Sequence, residues 1–149
     1  MTFFITAILI LILARLIWID LEQLRLPDHY TIPLVVAGLA ISAPDGGVAL
    51  LSSAIGGAGG FALFWLIGHY YFTRHGTEGL GLGDAKLFAA SGTWLGALLL
   101  PQVLLVASLG GLAFALCRRG GVRKPLAFGP WLALGFITVW LKEAVVPLL

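Results

Sequence analysis

The chain has 149 residues, of which 60% are hydrophobic and only 11% charged, and its mean hydropathy is +1.02. Soluble domains carry about a quarter charged residues, so this composition excludes an ordinary soluble domain and points to an integral membrane protein. The net charge of +2 is spread over segment ends and never forms a stripe that could follow phosphates, so no nucleic-acid partner is expected, and the single cysteine, Cys117, excludes an internal disulfide or an all-cysteine metal site.

The run from Thr2 to Ile19 is almost wholly apolar and long enough, at about 1.5 Å per residue, to cross a hydrocarbon core of about 30 Å. It lacks the basic start and small-residue cleavage site of a signal peptide, so it is expected to stay attached. Arg15 snorkels from within it towards the interface that Trp18 and Asp20 mark. The polar stretch from Asp20 to Pro33 reads as a loop in which Pro27-Asp28 is a turn signal and Asp28 or Thr31 caps the next helix, Ile32 to Ala43.

After the turn Pro44 to Gly47, a long apolar run from Val48 to Phe72 contains Ser53-x-x-x-Gly57 and Gly56-x-x-x-Gly60. Such spacing stacks small residues on one helix face, and another helix is expected to pack closely there. Tyr70 and Tyr71, with His69 beside them, mark the interface at its far end. A fourth segment, Asp84 to Leu100, carries its own Gly92-x-x-x-Gly96 and is broken at Pro101; Val103 to Cys117 makes a fifth. The basic loop Arg118 to Lys124 is a topology signal, and the prolines and glycines of Pro125 to Gly135 imply a kinked or re-entrant start to the last segment, which ends near Pro147.

Glu78 to Leu87, EGLGLGDAKL, organises the chain. Its alternating glycines allow positive φ and close packing, and they deliver Asp84 to the start of an apolar helix. An acid in that place either N-caps the helix or does chemistry, since ionisable groups at membrane depth are functional candidates by default.

Cations mark the cytoplasmic side. Arg25, Arg74, Lys86, Arg118, Arg119, Arg123 and Lys124, with Arg15 just inside, fall on one side, and only Lys142 falls on the other. The fold expected is an all-α membrane protein: one domain over residues 1–149, a bundle of about six transmembrane helices with both termini non-cytoplasmic. Asp20 then ends the first span and Asp84 begins the fourth at the same cytoplasmic depth, where the two can meet. Two carboxylates held close cannot both ionise easily, so one keeps a proton while the other acts as base. This is aspartic-protease chemistry, which needs neither metal nor cofactor.

Three motifs resemble the type IV prepilin peptidases, bacterial membrane aspartyl proteases of the GxGD class. Gly81-Leu82-Gly83-Asp84-Ala85-Lys86-Leu87 is similar to that family's G-x-G-D-x-K-L. Asp20 followed by Pro27-Asp28 and Thr31 is similar to its first aspartate motif, and Phe128 to Gly135 to its segment near the last span. The resemblance implies that Asp20 and Asp84 are the catalytic pair. It also implies an inner-membrane enzyme that cuts prepilins or pseudopilins on the cytoplasmic side, after a glycine that ends a short basic leader. The cysteine motifs of a zinc-bearing cytoplasmic insert are absent, so peptidase activity without methylation is expected.

Supporting roles fall to Gly81, Gly83, Asp28, Thr31, Lys86 and Glu78. Lys86 lies about 200° around the helix from Asp84, where it faces lipid phosphate or an acidic group of the substrate, and Glu78 suits a basic leader. Trp94 and Trp131 are packing or interface residues. A proton-coupled transporter or channel would spread ionisable groups through the bilayer, whereas both acids here lie at one edge. A scaffold would account for the glycines but not for the acids.

Overall fold

The computed structural model describes residues 2–77, 80–117 and 127–144, all of them helical or connecting. Six α-helices occur among these residues: α1 (Thr2–Gln23), α2 (Asp28–Ser42), α3 (Gly47–His75), α4 (Leu82–Leu95), α5 (Leu100–Cys117) and α6 (Gly129–Ala144). Glu78, the Arg118 to Lys124 cluster and Pro147 lie outside the described residues.

Among the described residues three segments are long and apolar enough to cross a membrane: Thr2–Gln23, Gly47–His75 and Ala97–Cys117. The six helices are of unequal length. With 15 and 14 residues, α2 and α4 reach only about 21–23 Å at about 1.5 Å per residue. Large apolar side chains point outward along the long helices, including Phe3, Phe4, Leu11, Leu51, Leu66, Leu105 and Leu116. That exterior suits hydrocarbon rather than water.

The chain divides into two compact units, residues 1–24 with 101–149, and residues 25–100. In the first, α1 and α6 pack through Leu9, Leu13 and Leu16 of α1 and Leu132, Ala133 and Phe136 of α6, all fully buried. Trp140 Nε1 donates to Thr6 Oγ1 at 3.0 Å, which satisfies two polar groups within an apolar contact. Gly135 lets α6 lie against α5, because a Cβ there would stand 2.6 Å from the carbonyl oxygen of Val103. Trp131 packs against Gly110 and Gly111 of α5, as a packing role required.

In the second unit, α4 lies against both α2 and α3. The small-residue spacings meet each other: a Cβ on Gly56 would come within 2.5 Å of the carbonyl oxygen of Gly92, and one on Gly92 would strike Gly56 in turn. Backbone touches backbone, as the spacing of both motifs implied. Ser42 of α2 links to both of these helices, accepting from Ser53 of α3 at 2.7 Å and lying 3.4 Å from the carbonyl oxygen of Thr93 of α4. Trp94 Nε1 donates to the carbonyl oxygen of Leu34 at 2.8 Å and ties α4 to α2.

Several boundaries move. The stretch from Asp20 to Pro33 is mostly helix: α1 runs on to Gln23 and α2 starts at Asp28 with Pro33 inside it, leaving a link of four residues, Leu24 to Pro27. Leu24 closes α1 in the left-handed region, φ 52°, its N–H bonded to the Asp20 carbonyl oxygen at 2.9 Å. The break after α4 comes at Gly96, φ 79°, and not at Pro101, which sits in the first turn of α5 where its missing N–H costs no helical bond. At the other turn Gly46 takes φ 100°, as a Pro-Asp-Gly-Gly sequence requires.

Candidate active site

Asp20 lies in the last turn of α1, only 5% exposed. Its carboxylate accepts a hydrogen bond from the backbone N–H of Gly129, the first residue of α6. Oδ2 of Asp20 is buried and has no hydrogen-bond partner among the described residues. The segment Phe128 to Gly135 therefore does more than begin a helix. The Phe128 carbonyl oxygen accepts from the N–H groups of Trp131 and Leu132, which leaves that of Gly129 free to hold the acid. Nothing in the one-dimensional pattern tied Gly129 to Asp20; the signal was a glycine-proline pair opening a helix.

Asp84 is the third residue of α4 and half-buried. It is not the N-cap. That position belongs to Gly81, extended at φ −72° and ψ 145°, whose carbonyl oxygen receives the Ala85 N–H at 3.3 Å. The Asp84 carboxylate lies beside Gly81, where a Cβ would stand 3.9 Å from Oδ2.

Neither Gly81 nor Gly83 has positive φ, so no dihedral requires glycine at either position. Gly83 is the constrained one: a Cβ there would sit 2.7 Å from Leu26 Cβ and 3.2 Å from its backbone N. Leu26, 8% exposed, thus seats the first turn of α4 against the link before α2. Beside this turn a hollow of about 270 Å³ is lined by Phe64, Trp65 and His69 of α3 and by Leu80, Leu82 and Ala85.

Lys86 bonds Asp28 at 2.5 Å. The acid that Lys86 meets among the described residues is on α2 of its own chain. Asp28 caps nothing: the N-cap of α2 is Pro27, and no side chain caps it. Thr31 is not a cap either. It lies one turn inside α2, fully buried, with Oγ1 unpartnered among the described residues. Asp20 belongs to the first compact unit, and Asp28, Thr31, Gly81, Gly83, Asp84 and Lys86 to the second.

The profile of the type IV leader peptidase family matches residues 7–116 of this chain, the stretch that holds both aspartates and the glycine motif. The chain belongs to this family. Among curated proteins it is similar to the prepilin leader peptidase/N-methyltransferase of Pectobacterium carotovorum subsp. carotovorum, 42% identical over 132 residues, covering 86% of this chain and 47% of that one. The proteins of the same name from Aeromonas salmonicida and Escherichia coli (strain K12) are 40% and 41% identical, over 90% and 78% of this chain and 48% and 53% of theirs. The chain spans about half the length of these leader peptidase relatives. No solved structure matches it significantly. The family match covers Asp20 and the GxGD turn seated on Leu26, and Gly129, which holds Asp20, follows it in the chain.

Proposed function

We propose that this chain is a membrane aspartic endopeptidase in which Asp20 and Asp84 act together on one water. The observation that carries the reading is the seating of the GxGD turn. Gly83 admits Leu26, and that contact fixes Asp84 in the first turn of α4, in a chain whose family is named for leader cleavage. Asp20 supports it as a buried carboxylate with one oxygen held by Gly129 and the other without a partner among the described residues, an atom suited to water or to a second acid.

One carboxylate takes a proton from the water, and the resulting hydroxide attacks the carbonyl carbon. The other donates its proton to the carbonyl oxygen, giving a gem-diol. As the C–N bond breaks, the leaving nitrogen takes a proton from the first carboxyl and a gem-diol hydroxyl returns one to the second. The products are an amine and an acid, and both aspartates regain their starting states.

The relatives' names point to prepilin leaders as the substrate class, and the motif resemblance adds pseudopilins, a short basic leader ending in a glycine, and a cut there on the cytoplasmic side. A substrate whose apolar helix lies in the bilayer reaches such an enzyme laterally. The cation distribution supports six crossings with the aspartates towards the cytoplasm and the protein in the bacterial inner membrane. Detergent-purified protein incubated with a prepilin-like substrate, its products mapped by mass spectrometry, tests this. A single cut after the leader's final glycine is expected; an intact substrate contradicts it.

A further inference from the structure

In the second unit α2, α3 and α4 border an open groove of about 410 Å³. Its α3 and α4 sides present the small residues Ala54, Gly57, Ala58 and Ala89 with Phe61 beyond them on α3, and its α2 side presents the branched residues Ile32 and Val36. Ala54 and Ala58 are four apart on one helix face and exposed. Small residues in that spacing let a second helix backbone come close while larger neighbours interdigitate with its side chains. From Thr31 to Leu39 along α2 the groove covers about 12 Å, roughly two turns of a docked helix.

One end differs from the rest. Thr31 and Lys86 line it, at the N-terminal ends of α2 and α4, and the latter is the end that carries Asp84. Thr31 is 0% exposed and its Oγ1 has no hydrogen-bond partner among the described residues, an unfavourable condition for a buried hydroxyl. Asp28, 58% exposed, stands one turn before it in α2 and holds Lys86. A lipid acyl chain would fill the apolar length and leave the hydroxyl unsatisfied. A peptide helix entering N-terminus first brings up to four N–H groups with no partner of their own, which in lipid must find acceptors. The Thr31 hydroxyl accepts one of them.

We infer that this groove holds the first two turns of the substrate's apolar helix, with the helix N-terminus at Thr31. The inference rests on the peptidase reading and deepens it. The scissile bond precedes that helix, so the polar end of the groove leads to the Asp84 end of α4.

The test uses the full chain in phospholipid vesicles and two synthetic probes. Both have a Lys-rich leader ending in glycine; the long probe continues into a Leu/Ala helix of about 20 residues and the short one stops a few residues on. Wild type should prefer the long probe in kcat/KM. Ala58→Trp should cut that preference by about tenfold or more, the loss expected for blocking an anchor side chain. Ala62→Trp, exposed on the same helix but outside the groove, should keep it. Ala58→benzoylphenylalanine should photo-crosslink to the long probe. The groove assignment is overturned if wild type shows no preference between probes that it cuts, if Ala58→Trp keeps that preference, or if the crosslinker captures lipid alone. Should wild type cut neither probe, the peptidase reading fails and the crosslink still decides the groove.

Discussion

Lys86 reaches from the second turn of α4 to Asp28 at the head of α2, Nζ to Oδ1 at 2.5 Å, with the two side chains 26% and 58% exposed. The pair joins the helix that carries Asp84 to the helix that carries Thr31, two residues and one turn away from each. Its role is orientation more than stability, because an ion pair exposed to this degree contributes about 0–1 kcal/mol.

Lys86→Met should therefore lower the melting temperature in detergent by no more than a few degrees, the equivalent of about 1 kcal/mol or less. Activity should fall further than stability does. The doubly exchanged protein, Lys86→Asp with Asp28→Lys, should recover more activity than either single change retains, as assayed by cleavage rate beside a thermal melt.

The two glycines of the GxGD turn should separate cleanly. Gly83→Ala places a Cβ 2.7 Å from Leu26 Cβ, an overpacking that costs about 1–3 kcal/mol and displaces the first turn of α4. Gly81→Ala meets only the ordinary contact of 3.9 Å with Asp84 Oδ2, at an unstrained φ of −72°. Cleavage should collapse in the first variant and stay within several-fold of wild type in the second.

Gly56 and Gly92 block each other. Gly56→Ala or Gly92→Ala alone should force α3 and α4 apart and destabilise by about 1–3 kcal/mol. Once separated, the helices meet the second methyl at less cost, so the double variant should be less destabilised than the sum of the two, measured by denaturant or thermal unfolding in detergent.

Leu24 closes α1 at φ 52°, a conformation that costs a residue with a branched side chain about 1 kcal/mol more than glycine. Leu24→Gly should leave the melting temperature unchanged or raised by a few degrees, where truncation of a buried leucine would lower it.

Much of this was legible before the fold. Small residues four apart in Gly56-x-x-x-Gly60 and Gly92-x-x-x-Gly96 lie on one helix face, so their spacing alone announced a close crossing, and α3 meets α4 there. Apolar runs located the long helices for the same reason, since hydrocarbon thickness sets their length. The polar stretch after Ile19 misled, because local polarity reads as loop while helical hydrogen bonding carries α1 on to Gln23. Partners across the chain were invisible. No local rule joins Lys86 to Asp28, 58 positions away, or Gly129 to Asp20, and both follow from which helices pack. The GxGD glycines were legible as a requirement for small residues but not in kind: Leu26, which explains Gly83, is an ordinary leucine until the fold brings it there.

The central claim is that two aspartates share one water. Its most direct measurement is the single-turnover cleavage rate of a leader-bearing peptide by purified wild type, Asp20→Asn and Asp84→Asn, each verified as folded by its melting curve. An amide keeps the shape of a carboxylate but can neither take nor return the proton, so each variant should be slower by about a thousandfold or more, and to a similar extent. Cleavage at a rate near wild type by either variant would contradict the account.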